Sequence, residues 1–218
     1  MYVPPAYEID RARCLAFASA HGFGLTCAFD GSKPLASHLP FHLEYASDGT
    51  PRLLFHVARG NPLVGCADGR RSWLVAIQGH HSYVSPHWYV SPDQVPTWLY
   101  QAVHLTGTAR LMPADELRDS LGALSAQFES SLAPKPAWSM AEMSAARREA
   151  MLRAIVGIAM TVESVQSSFK LNQSKSEADC RSVAAALAAQ ENDGARTIAR
   201  LMIEMHPQAD ADQDRTFA

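Results

Sequence analysis

The chain has 218 residues, with 19 Lys and Arg against 22 Asp and Glu and a formal net charge of −3. Apolar residues make up 47% and charged residues 19%, which suits one well-packed domain with a small appendage and excludes long disorder. The slightly acidic balance argues against a broad basic face for non-specific nucleic-acid binding.

Cys14, Cys27, Cys66 and Cys180 are scattered, with no C-x-x-C pair. This excludes a zinc ribbon, a thioredoxin-type centre and a disulfide framework, and it predicts buried thiols in a reducing compartment. No apolar run approaches the ~18 residues of a membrane span. Arg11 and Arg13 followed by Cys14–Ala20 mimic a signal peptide, but the apolar core is short and Glu8 and Asp10 sit in the would-be basic region. The expectation is a cytoplasmic protein.

Residues 8–21 read as a helix stopped by Gly22, followed by a strand over 24–29 and a turn at Asp30-Gly31. Pro34–Tyr45 is the next strand, Asp48-Gly49 a hairpin turn, and 52–58 its partner strand. Asn61-Pro62 opens a short helix, with Asn capping and Pro preset for the first helical position. Trp73–Gln78 is a nearly continuous apolar strand. Gly79–Pro96, rich in Pro, Ser and rings, reads as a long ordered loop. Trp98–Met112 is a long strand.

Past residue 112 the pattern turns helical. Pro113 opens a helix with Asp115 and Glu116 near its positive end. Ser139–Glu142 is a capping box opening another. Ala154–Phe169 is the last long strand. Ser176–Asp179 opens a helix, with Asp a weaker capping partner than Glu, and Asn192-Asp193-Gly194 leads to a final helix ending near Met205. Six or so strands without regular β-α-β alternation predict an antiparallel α+β domain, with a small closed barrel as the natural way to remove its edges.

Nine histidines tempt a metal assignment, but the spacing opposes it. Pro40 forbids a helix through His38 and His42, and on a strand the two stand ~13 Å apart. No zinc-protease motif, serine elbow or Gly-rich phosphate loop is present. The segment His56–Pro62 is more informative. A strand ends, Arg59 follows, Gly60 permits close approach, and a helix begins with free amides, which together suit a phosphate. The bland alternative is a surface Arg and a helix cap. Tyr83–Tyr89 and Val95–Tyr100 concentrate rings that suit a flat ligand, another subunit or an ordinary core corner. Lys170–Lys175 suits a phosphate, a partner carboxylate or a solvated turn.

Six segments carry a resemblance: Met1–Pro5, His38–Phe41, His56–Pro62, Tyr83–Pro86 with Trp88-Tyr89, Val95–Trp98 with Tyr100, and Lys170-Leu171 with Gln173. In this order, over residues 1 to about 180, they resemble the PaiB-type family of FMN-binding negative transcriptional regulators. The resemblance implies an antiparallel split β-barrel of the pyridoxamine-phosphate-oxidase-like class with flanking helices. It implies a homodimer with FMN in clefts between subunits. Arg59, Asn61 and Lys170 would hold the phosphate. His56, Val57 and Ala58 would line the flavin cleft, partly through backbone groups. Tyr83, Trp88 and Gln173 complete the expected set, with Trp88 and Tyr89 supplied by either subunit. Two positions depart from the family pattern: Leu99 stands where Asn is common, and Asn172 where Ser is common.

The expected organisation is a flavin-binding domain over 1–175, a helical appendage over 176–206 and a flexible tail over 207–218. No catalytic residue and no metal site is assigned. DNA is a weaker candidate partner, through helices 176–190 and 195–205 with Arg196 and Arg200 on the second. Two rivals share the fold: a flavin-dependent oxidoreductase of a small molecule, and a haem-binding or haem-degrading protein with a histidine axial ligand.

Overall fold

The computed structural model describes residues 1–205, so the expected tail over 207–218 lies outside the described residues. Among the described residues seven strands and five α-helices follow one another. They are α1 (Arg11–His21), β1 (Phe23–Phe29), β2 (Pro34–Pro40), β3 (His42–Tyr45), β4 (Pro51–Ala58), β5 (Asp68–Val84) and β6 (Thr97–Leu111). Then come α2 (Ala114–Glu129), α3 (Ala145–Ala154), β7 (Ile155–Lys170), α4 (Glu177–Ala188) and α5 (Asp193–Met205). All strands join one sheet in the order β2-β1-β5-β6-β7-β4-β3, and the β1–β2, β1–β5, β3–β4 and β4–β7 ladders are antiparallel. The α+β antiparallel expectation therefore holds.

Three local expectations change. The predicted strand Pro34–Tyr45 is two strands interrupted at Phe41, whose side chain is buried. The predicted loop over 79–96 is strand in its first third: β5 runs on to Val84, which is buried, and only a 3-10 turn at Pro86–Trp88 and its flanks remain irregular. The Ser139 capping box closes on Glu142 but holds only the turn Met140–Glu142. Helix α3 opens one turn later, with the Ser144 hydroxyl accepting from the Arg147 amide.

The chain divides into two compact units. One comprises Ala12–Ile77 and His104–Val165. Its core is Leu53, Phe55, Trp73, Val75, Ile77, Leu105, Ile158 and Met160, all essentially without solvent contact. Each such side chain contributes roughly 1.5–3 kcal/mol by leaving water. The Trp73 indole N–H meets the Cys66 carbonyl at 3.2 Å, which satisfies its one buried polar group. Gly22 takes φ +56° at the end of α1, a left-handed position that suits glycine. Gly107 in β6 packs so tightly on β7 that a Cβ would lie 1.7 Å from the Thr161 carbonyl oxygen.

The other unit comprises Met1–Arg11, Gln78–Val103 and, among the described residues, 166–205. Helices α4 and α5 bury Cys180, Val183, Leu187, Ile198 and Met202 against Val84, Tyr89, Leu99 and Leu171. Leu99 is fully buried here. Asn172 sits at φ +63°, a conformation that Asn adopts more readily than Ser.

Candidate functional site

Strand β4 forms because Leu53, Leu54, Phe55 and Val57 give it an apolar, strand-prone run, and all four are buried. It ends where Pro62 starts a 3-10 turn, and the Asn61 amide closes on the Ala58 carbonyl at 2.8 Å. The β3–β4 ladder stops at His42↔Leu54, so Phe55–Ala58 are laddered to β7 alone, with His56↔Gly157, Val57↔Val156 and Ala58↔Ile155. Their main-chain groups on the side away from β7 have no strand partner among the described ladders. Val57 is buried and Ala58 exposed, so a ligand on this edge meets backbone more than side chains. His56 is half-buried, and burial alone holds its imidazole below the usual histidine range.

Arg59 follows directly. Its Nε donates to the Arg153 carbonyl at 2.8 Å and its Nη2 to the Ile155 carbonyl at 3.1 Å, which caps the end of α3. Two of the five guanidinium N–H groups are thus spent, and about three remain. The Asn61 carboxamide is engaged at both ends: Oδ1 accepts from the Leu63 amide at 2.9 Å and Nδ2 donates to the Ser37 hydroxyl at 3.1 Å. An open pocket of about 370 Å³ is lined by Arg59 together with Leu117, Leu152, Arg118, Arg153 and Glu149. Three guanidinium groups face one carboxylate there, and Arg118 pairs with Glu149 at 3.4 Å. The charge excess suits an anion such as a phosphate.

The remaining expected residues lie in the other unit. Lys170 donates to the Thr97 hydroxyl. Gln173 folds back on its own turn, accepting from the Leu171 amide at 2.8 Å and donating to the Phe169 carbonyl. Tyr83 stands edge-on to Trp98 with ring centroids 6.1 Å apart, and Trp88 packs against the α4–α5 core. The structure thus gathers His56, Val57, Ala58, Arg59 and Asn61 at one strand end. Tyr83 and Trp88 line a second, ring-walled pocket, and Lys170 and Gln173 sit at the end of β7.

Sequence reading missed Asp179. This buried carboxylate, in the first turn of α4, accepts from the Val90 and Ser91 amides and from the Ser91 and Ser176 hydroxyls. It fixes the segment that follows Trp88. The capping pattern Ser176–Asp179 was the only signal, and it gave Asp179 a local role. The two histidines that tempted a metal site are spent otherwise: His42 Nδ1 pairs with Gln127 Oε1 at 2.8 Å, and His38 stacks on Phe23.

The chain is 19% identical to the FAD and haem binding protein from Mycobacterium smegmatis, with a TM-score of 0.52 over 74% of this chain and 71% of that one. It is 11% identical to the conserved hypothetical protein Rv2991 from Mycobacterium tuberculosis, with a TM-score of 0.52 over 79% and 92%. The fold is that of the split-barrel class. Within it, the chain belongs to the family described as "Putative FMN-binding domain", whose model matches residues 1–164. It is also 34% identical over 203 residues to "Protease synthase and sporulation protein PAI 2" of Bacillus subtilis (strain 168), covering 93% of this chain and 96% of that protein. FMN is the cofactor that family membership gives it. Among the described residues no helix is long and apolar enough to cross a membrane.

Proposed function

We propose that this chain is a cytoplasmic, homodimeric FMN-binding regulator of the PaiB type, acting negatively on transcription. The observation that carries the flavin assignment to particular residues is the end of β4, where an open backbone edge runs into Arg59. The partly free Arg59 guanidinium binds the phosphate in a pocket rich in arginine. Asn61 sets the turn that presents it, and main-chain groups of His56, Val57 and Ala58 line the flavin. Lys170, Gln173, Tyr83 and Trp88 complete the set, with Trp88 supplied by either subunit. Bound flavin supplies a redox-active ring system. The chain's own groups hold its anionic end and present a half-buried, neutral imidazole at His56.

The regulatory part rests on a relative of 34% identity named for protease synthesis and sporulation, which are processes rather than a reaction. Direct DNA reading has little support in the C-terminal helices. Arg196 is tied to Asp193 and to the Gln190 carbonyl, and Arg200 to the Thr197 hydroxyl. Regulation through protein contacts fits better. On this reading residues 1–175 are the flavin domain and 176–206 its appendage.

The test is the absorbance spectrum of purified protein after FMN is added and free ligand removed. A retained flavin band, weakened at least about tenfold in affinity by Arg59→Ala, supports the site. No retained flavin, or an unchanged affinity in the variant, overturns it. Light scattering reads the dimer, and transcript levels in a strain lacking the chain read the regulatory role.

A further inference from the structure

The ring cluster on β5 and β6 forms a second pocket, of about 280 Å³, lined by His81, Tyr83, Trp88, Trp98, Gln190 and Asn192. Two rings meet around Trp98: His81 at 5.8 Å between centroids and Tyr83 at 6.1 Å, nearly perpendicular. Trp98 is 53% and Tyr83 44% exposed, so ring surface is left open to a ligand. Among the described residues no Asp, Glu, Lys or Arg lines the pocket, which disfavours a charged ligand.

Its polar groups are few and their roles are set. Gln78 Nε2 donates to His81 Nδ1 at 3.1 Å, which leaves His81 Nε2 as the ring nitrogen without that contact. Asn192 Oδ1 is held by the Gly194 and Ala195 amides, which leaves its NH₂ as a donor. Gln190 Nε2 donates to the Ala186 carbonyl at 3.1 Å, which leaves its carbonyl oxygen as an acceptor. The wall is built rather than loose. A Cβ on Gly194 would lie 3.2 Å from the His81 carbonyl oxygen, so the α4–α5 turn packs closely on β5.

From this geometry we infer a binding site for a small, uncharged, planar nitrogen heteroaromatic of one or two rings. The rings supply a stacking surface, and the leftover donors and acceptor suit the ring-nitrogen and amino edge of such a ligand. This site does not depend on the flavin assignment. Tyr83 and Trp88 also serve the proposed flavin site, whereas Trp98 and Gln190 belong to this pocket alone and therefore carry the test.

Adenine is the probe, titrated into the full-length protein by calorimetry and by tryptophan fluorescence, with cyclohexanecarboxamide as the non-aromatic control. The expected dissociation constant for so small a ligand is on the order of 0.1–1 mM, with no binding of the control. Trp98→Leu should weaken adenine at least about tenfold while FMN is retained as before, and Gln190→Ala should weaken it by about threefold. If Trp98→Leu does not fold, Gln190→Ala decides. Absence of saturable adenine binding, or unchanged affinity in the variants, overturns the proposal. Because Tyr83 and Trp88 are shared with the proposed flavin site, saturating FMN should weaken adenine; an adenine affinity unchanged by FMN supports this pocket and removes the two rings from the flavin set.

Discussion

Asp179 grips Ser91 with both carboxylate oxygens, Oδ1 accepting from its amide at 2.9 Å and Oδ2 from its hydroxyl at 2.8 Å. The amide bond from Ser91 is the largest of the effects that hold this carboxyl below the usual aspartate range, with Ser91 Oγ, Ser176 Oγ and the Val90 amide adding to it. Because the folded value is depressed, the contribution is present above the unfolded value of about 4 and is lost as pH falls through the folded one. Asp179→Asn should therefore cost roughly 1–3 kcal/mol at neutral pH and flatten the acid limb of stability below about pH 4. Urea melts between neutral and acid pH check both effects.

Histidine adds a second acid-side loss at higher pH. Burial lowers both His56 and His104, so each is neutral in the fold where a free imidazole would be charged. The unfolded chain binds more protons, and stability falls as pH drops below about 6.5. His56→Leu should remove part of that slope. Proton NMR should show the wild-type His56 ring titrating below the free value; titration at or above it would refute the burial argument.

Gly107 admits no side chain. Gly107→Ala forces β6 away from Thr161 of β7 and should cost at least about 3 kcal/mol or abolish folding, read by denaturant midpoint. A shift below about 1 kcal/mol would show that the two strands part easily.

Ile198 and Leu187 are fully buried between α4, α5 and the strand ends carrying Val84 and Leu99. Ile198→Ala should cost roughly 2–5 kcal/mol. If the helical pair is an integral layer of its unit, a single unfolding transition should shift; if it is a loose appendage, a separate early transition should appear by calorimetry.

Much of this was legible because the signals were local. Asn61-Pro62, Asp48-Gly49 and Ser176 named their turns and caps through their own short-range hydrogen bonds. Arg59 stood out as a lone guanidinium after an apolar strand. Less legible were features set by distant partners. Nothing within Gly79–Val84 shows that these polar, ring-bearing residues extend β5, because their strand state depends on the neighbouring strands. Asp179 looked like a helix cap because its loop partners lie 88 and 89 positions away. Asn61 and Gln173 look like ligand groups in sequence, yet both carboxamides are engaged at either end within the fold.

The double use of Arg59 couples two equilibria. The guanidinium that closes the last turn of α3 is the same group that would face an anion, so fraying of that turn and loss of the anion draw on one side chain. By reciprocity, whatever firms the helix end tightens the anion, and the anion in turn firms the helix end by the same factor. Helix α3 is therefore a built-in reporter: its terminal amides should exchange with solvent more slowly when the strand end is occupied, without any change in the fold.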